Sequence, residues 1–125
     1  MTEINKPDVV EAVRQAFMGY EKAVVTNDVQ ALDDYFWRSE HTLRYGVNEI
    51  LYGHDQIAAF RASRSAIGLD RTLANTKIVT FGDDTAVANT EFYRKGSDRV
   101  GRQSQTWRRF SDGWKIVSAH VSLME

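Results

Sequence analysis

The sequence predicts an α+β domain, with helices in the first half and an antiparallel meander of strands in the second. Apolar residues recur at helical spacing near the N-terminus, and strongly β-forming stretches fill residues 72–123. Helices followed by consecutive strands are typical of α+β rather than alternating α/β architecture. Tight-turn tripeptides separate the strands: Gly82-Asp83-Asp84, Gly96-Ser97-Asp98 and Ser111-Asp112-Gly113,.

Three helices are predicted. Pro7 suits the first turn of helix one, and Asp28 suits the N-cap of a short second helix. A third helix is predicted to begin at Gly53-His54-Asp55, with Asp55 as its N-cap. The apolar stripe of the first helix comprises Val9, Val13, Ala16, Phe17, Tyr20, Ala23 and Val24.

Two short strands are expected around Gly46-Val47-Asn48, over residues 41–45 and 49–52. Longer strands are predicted at about 72–81, 85–95, 99–110 and 114–123,.

The 125-residue chain has a net charge of −1 and no cysteine. Its length suits a single domain, predicted over residues 1–125. The lack of cysteine excludes thiolate metal sites and suits a reducing cytoplasm, where we expect the protein. The near-neutral charge argues against a nucleic-acid partner, and no apolar run approaches the ~20 residues of a membrane span.

Motifs for common cofactors are missing from the sequence. It contains no glycine-rich phosphate loop, dinucleotide fingerprint or G-x-S-x-G elbow,. His41, His54 and His120 lie far apart without metal-ligand spacing, so a structural or exposed role is the simpler explanation for each,. We therefore predict no cofactor and no metal.

The strand around residues 101–107 is the most informative segment. Gln103 and Gln105 share the strand parity of Trp107, so burial of the Trp brings both amides to the interior,. A buried amide requires hydrogen-bond partners. Those partners are either protein groups or a small polar ligand, and the strand alone leaves both open.

Several specific motifs occur together along the chain. They are Ala16-Phe17-x-x-Tyr20-Glu21, Phe36-Trp37, Arg44-Tyr45-Gly46, Ala59-Phe60-Arg61, Gly101-Arg102-Gln103-Ser104-Gln105-Thr106-Trp107 and Ala119-His120-Val121-Ser122-Leu123-Met124. This set resembles the AtzH-like family, which is found with enzymes of cyanuric-acid and oxalurate breakdown. The connections at Glu40 and Phe110-Ser111-Asp112 depart from the proline-containing ones typical of the family.

The resemblance implies a cone-shaped domain, as in SnoaL-type cyclases, ketosteroid isomerase and nuclear transport factors. Three helices would pack on a curved mixed, mainly antiparallel sheet. One branch of the family decarboxylates and hydrolyses N-carboxylated ureas such as dicarboxyurea. The family's functional Tyr and Arg fall on Tyr20 and Arg44, which are thereby the predicted catalytic residues.

Tyr20 lies on the apolar stripe of the first helix, so its phenol should face the interior and form a hydrogen bond. Without the family resemblance, a core Tyr bonded to a backbone carbonyl is the simpler interpretation. Ketosteroid isomerase has a similar Tyr but also needs an Asp base on the next strand. The segment Leu43-Arg44-Tyr45 has no carboxylate, which disfavours that activity.

Arg44 is predicted to point into the cone and to bind the carboxylate of the substrate bidentately. The alternative is a permanent ion pair with an internal acid such as Glu91 or Glu49. The two interpretations differ in consequence, because a buried guanidinium without an anion costs several kcal/mol. A permanent partner would favour a scaffold over an enzyme.

Aromatic and amide side chains are predicted to form the rest of the substrate site. Gln103 and Gln105 can complement a urea, while the aromatic residues provide apolar walls. Arg102 and Ser104 have the other parity, and a β-bulge could move His120. The predicted walls are Phe36, Trp37, Phe92 and Trp107.

The predicted function is decarboxylation or hydrolysis of a small carboxylated urea, dicarboxyurea- or oxalurate-like, in nitrogen catabolism. One alternative is a non-catalytic ligand-binding or accessory subunit of a ureide amidohydrolase. Another is a SnoaL-like cyclase or hydratase, which the arginine and glutamines disfavour. We also expect a homodimer, with Trp114 and Ile116 at its interface.

Overall fold

The computed structural model describes residues 2–125 and contains three helices and six strands. The helices are α1 (Pro7–Thr26), α2 (Val29–Tyr35) and α3 (Gly53–Ser63). The strands are β1 (Leu43–Tyr45), β2 (Ile50–Tyr52), β3 (Arg71–Phe81), β4 (Thr85–Arg94), β5 (Val100–Phe110) and β6 (Gly113–Leu123). The predicted α+β architecture is confirmed.

The strands form a single sheet in the order β2-β1-β6-β5-β4-β3. β1 runs parallel to β6, and the other pairs are antiparallel, so the sheet is mixed as expected. Register shifts interrupt the β3–β4 and β5–β6 ladders. Such irregularities bend strands and increase twist, which lets the sheet curve around the helices.

The predicted apolar stripe of α1 is largely buried, and the ends of the helix follow local chemistry. Pro7 begins α1, and Asn27 ends it in a left-handed conformation with φ of 51°. The Asp28 carboxylate then accepts a hydrogen bond from the Ala31 amide at 3.2 Å, which confirms Asp28 as the N-cap of α2,.

The predicted N-cap of α3 is wrong. The helix begins at Gly53, and Tyr52 occupies the cap position without a side-chain capping hydrogen bond. Gly53 adopts φ of +83°, a conformation that glycine tolerates best. The chain therefore turns into the helix before Asp55, which lies in the first turn instead.

A bulge in β6 changes which side chains face the core. Thr106 pairs with Ser118 whereas Trp107 pairs with Ile116, so Val117 is an additional residue. Ile116 is fully buried, and beyond the bulge His120 is exposed. The predicted dimer surface containing Ile116 is therefore wrong, because strict alternation does not survive a bulge. Homodimerisation itself stays a prediction.

The inner face of the sheet carries the core together with both predicted amides. Trp107 is fully buried, and Gln103 and Gln105 are nearly so, as their shared parity predicts. Gly101 lies against the Phe92 ring so closely that an added Cβ would meet the ring at 2.2 Å.

None of the helices in residues 2–125 combines the length and the hydrophobicity that a membrane span requires.

Candidate functional site: an arginine-lined cavity

A small polar cavity lies between α1, the end of α3 and the inner face of the sheet. Its volume is about 30 Å³, enough for a water-sized group, which requires about 10–15 Å³. Apolar Val24, Leu69 and Val121 complete a lining that is otherwise polar. The polar side chains are Tyr20, Gln103, Arg44, Arg61, Arg64, Arg71 and Arg94.

The cavity contains more cations than anions. Five arginines line it, while two carboxylates, Glu21 and Glu49, form ion pairs with them. Three positive charges therefore remain without an ion-pair partner among the described residues. Since a charge removed from water needs a partner, this imbalance is the main electrostatic feature of the site.

Glu21 neutralises Arg71 at the floor of the cavity. The Nε of Arg71 donates to Glu21 Oε2 at 3.0 Å, and its Nη2 donates to the other carboxylate oxygen. The same Nη2 donates to Gln103 Oε1 at 2.9 Å, and Gln103 in turn donates to Glu21 at 3.3 Å. Both charged side chains are more than nine-tenths buried.

Arg44 already has a protein partner, so the prediction that it lacks one is wrong. Its Nη1 donates to Glu49 Oε1 at 2.8 Å, as in the alternative of an internal ion pair. The β1–β2 hairpin brings the two residues together, with the Gly46 amide donating to the Glu49 carbonyl. A Cβ at Gly46 would lie 1.6 Å from Glu49 Oε1, so glycine leaves room for the pair.

Arg61 is the most deeply buried cation of the site, and only 1% of its surface is exposed. Its Nη2 donates to the Tyr20 hydroxyl at 2.6 Å, and its Nε has no partner among the described residues. Burial is the main cause that lowers the pKa of Arg61, and Arg44 and Arg71 lower it further.

Arg64 follows α3 directly and, like Arg61, forms no ion pair with a carboxylate among residues 2–125. Its Nε and Nη2 are buried and unpartnered. Burial first, and then the neighbouring charge of Arg61, lower the pKa of Arg64 to about 10. The charged form is thus disfavoured at Arg64 and would be stabilised by an added anion.

The structure brings some of the predicted site residues together. Tyr20, Arg44 and Gln103 line the cavity. The Arg71 guanidinium lies over the Phe92 ring, with its Cζ 4.6 Å from the ring centroid. Phe36 and Trp107 surround the Tyr20 ring with edge contacts at 5.9 and 6.5 Å between centroids.

Five predicted site residues do not line the cavity, and the four predicted aromatic walls are all among them. These residues are Phe36, Trp37, Phe92, Gln105 and Trp107. Trp37 stacks on Phe110 with 5.5 Å between ring centroids, at a different surface. The Gln105 Oε1 accepts a hydrogen bond from the Trp107 indole at 3.0 Å, and its buried Nε2 has no partner among the described residues. Arg102 and Ser104, which have the other strand parity, are exposed, and His120 is exposed as well.

Sequence reasoning missed five residues of the site. Arg61 could have been found, because it follows Ile57 by four positions and both are buried on one face of α3,. Glu21 is charged but buried in α1 beside Tyr20. The missed residues are Glu21, Arg61, Arg64, Arg71 and Arg94.

The model of one family matches residues 2–125, and its description is AtzH-like. The chain belongs to the AtzH-like family. No curated protein matches the chain.

Solved structures support this placement. A protein of unknown function from the DUF3225 family of Pectobacterium atrosepticum is 55% identical, with 98% of this chain and 95% of that chain covered and a TM-score of 0.96. A cystatin-like fold protein from Burkholderia xenovorans is 44% identical, with coverages of 99% and 98% and a TM-score of 0.95.

More distant structures share the fold alone. An NTF2-like superfamily protein from Salmonella enterica is 23% identical, with 94% of this chain and 92% of that chain covered and a TM-score of 0.75. The predicted cone-shaped fold of helices on a curved sheet is confirmed.

Proposed function

We propose that this AtzH-like protein is a cofactor-independent enzyme that decarboxylates or hydrolyses a small N-carboxylated urea, dicarboxyurea- or oxalurate-like. The observation that carries the proposal is the excess of positive charge in the cavity, where Arg61 and Arg64 have no carboxylate partner among the described residues. A carboxylated substrate supplies the missing negative charge, and its urea nitrogens and carbonyl complement the amide of Gln103.

Tyr20 is the proposed proton donor. Loss of CO₂ breaks the bond between the urea nitrogen and the carboxylate carbon, and the electron pair of that bond remains on nitrogen. The nitrogen must then be protonated, and the phenol of Tyr20 or a water held beside it supplies the proton. Donors directed at developing negative charge lower the barrier by roughly 3–4 kcal/mol each.

A urea-sized ligand requires the cavity to widen, because its volume is about 30 Å³. Arg94 is exposed and Arg64 is half-buried, so these two lining side chains can move without disturbing the core. Arg94 and Arg71 also line a larger adjoining surface depression of about 470 Å³, whose charged lining further includes Lys95 and one acid, Asp70. An anion would thus enter along a cationic path, which accelerates association.

The Arg44–Glu49 ion pair favours a second candidate, a non-catalytic ligand-binding or accessory subunit. Glu49 already pairs with the guanidinium that the family resemblance assigns to the substrate, although the buried Nε of Arg44 has no partner among the described residues. In the enzymatic proposal the substrate carboxylate displaces Glu49, whose side chain is 22% exposed. In the accessory proposal the ion pair is permanent and ligands bind without turnover.

Glu49→Gln distinguishes these two roles of Arg44. If the substrate carboxylate competes with Glu49 for Arg44, removing the negative charge of Glu49 should raise the affinity for oxalurate by about tenfold. Calorimetric titration measures this change, with the exposed Glu40→Gln as the matched control. Unchanged affinity would show that oxalurate does not engage Arg44.

A ligand screen followed by activity assays tests the proposed function. Thermal shifts with mono- and dicarboxylates identify compounds that stabilise the folded protein. Compounds that bind, and freshly generated N-carboxylated ureas, are then assayed for CO₂ and ammonia release. Turnover supports the enzyme, whereas stabilisation without turnover supports the accessory subunit. Absence of any carboxylate-dependent shift would contradict both.

A further inference from the structure

The hydrogen bond between Arg61 and Tyr20 has a fixed direction. A guanidinium has only N–H donors, so the Tyr20 oxygen accepts from Arg61 Nη2 at 2.6 Å. Both residues are almost fully buried, at 1% and 2% exposure. The direction of this bond therefore limits where the phenol's own proton can point.

The proton of the Tyr20 hydroxyl has no protein acceptor among the described residues, because the bond from Arg61 is the one hydrogen bond formed by that hydroxyl. The Tyr20 ring is surrounded by the aromatic rings of Tyr35, Phe36 and Trp107 at 6.1, 5.9 and 6.5 Å between centroids. Its polar end lines the cavity. A proton without a protein acceptor is available to a ligand there.

We infer that Arg61 is a positioning residue that occupies the acceptor side of the Tyr20 hydroxyl and thereby directs the phenol proton into the cavity. The positive charge of Arg61 also stabilises the negative charge that remains on the oxygen when the proton leaves. The inference rests on the proposed function, because a donor role matters only if Tyr20 protonates or hydrogen-bonds a ligand.

A competing role for Arg61 is to act only as a direct partner of the substrate carboxylate, the role that charge balance alone gives to both Arg61 and Arg64. The two roles differ in whether the effect of replacing Arg61 depends on the presence of the Tyr20 hydroxyl. A positioning residue acts through the phenol, so its removal has no effect once the hydroxyl is gone. A residue that binds the substrate itself contributes with or without that hydroxyl. A double-mutant comparison separates these roles.

The first measurement needs no activity. Protein labelled with ¹³C at the tyrosine Cζ gives one resonance for Tyr20, identified by its loss in Tyr20→Phe. Arg61→Met replaces a buried cation with an apolar side chain of similar length, and thermal unfolding checks that the variant is folded. We expect the Tyr20 resonance to move in Arg61→Met and to return towards its original position in Arg61→Lys. An unmoved resonance would overturn the inference.

The second measurement compares kcat in Arg61→Met, Tyr20→Phe and the double variant, after thermal unfolding has shown that each is folded. We expect Arg61→Met to lower kcat about 30-fold with little change in KM, and the double variant to be no slower than Tyr20→Phe alone. Additive losses, or a loss confined to KM, would overturn the inference. If the wild-type protein turns over no carboxylated urea, the proposed function fails, and the Tyr20 resonance still decides the inference.

Discussion

Replacing Tyr20 with phenylalanine should lower turnover of a carboxylated urea by about 10²–10³-fold, the loss typical of removing one donor directed at developing charge. The ring contacts with Phe36 and Trp107 are retained, so the aromatic packing should survive. Substrate affinity should change far less than kcat, because the arginines provide most of the ground-state attraction. Single-turnover CO₂ release together with a binding titration separates these two effects.

Tyr35→Phe is the matched control for this prediction. Tyr35 packs edge-on against Tyr20 at 6.1 Å between ring centroids and does not line the cavity. Its variant should retain most of the activity. A Tyr20→Phe variant with a near-normal rate would remove Tyr20 from the mechanism and leave the cavity as an anion-binding site.

Replacing Glu21 with glutamine should destabilise the protein by about 3–5 kcal/mol, the typical cost of removing one partner of a buried ion pair. The substitution retains the shape of the side chain but removes the only carboxylate that pairs with Arg71 among the described residues. Arg71 would then add to an already unbalanced group of cations. Urea denaturation measures the loss of unfolding free energy. The dependence of that free energy on urea concentration should have the same slope in the variant and the wild-type protein.

Glu11→Gln is the control for the charge change, because Glu11 lies on the same helix with 57% of its side chain exposed. It should alter the free energy of unfolding by less than about 0.5 kcal/mol. The double variant Glu21→Met with Arg71→Met should recover much of the stability lost in Glu21→Gln, since an apolar pair can replace a buried ion pair. A small effect of Glu21→Gln would contradict the charge balance described for the cavity.

The sequence predicts the helices and strands, and the face of the sheet to which the buried amides point, because both depend on local periodicity. Helical spacing indicates α1, and strand parity places Gln103 beside Trp107 on the inner face,. Alternation does not hold along the whole of β6, because the bulge at Val117 reverses it and Ile116 is buried. A bulge depends on pairing with β5, which the sequence of one strand does not encode.

The charge partners of the site were harder to predict because they are distant in the chain. Arg71 lies 50 positions from Glu21, and Arg61 lies 41 positions from Tyr20. Only the packing of α1 and α3 with the sheet brings these residues to one cavity. Arg44 and Glu49 are five positions apart, and there the hairpin made the ion pair a foreseeable alternative.

The most direct test of the central claim, that the cationic cavity uses Tyr20 to decarboxylate a carboxylated urea, follows CO₂ release from a freshly generated N-carboxylated urea. Purified wild-type protein and Tyr20→Phe are compared with the uncatalysed rate. We predict a clear acceleration by the wild-type protein that Tyr20→Phe loses while it still binds the compound. Release at the uncatalysed rate in the presence of saturating wild-type protein would contradict the claim.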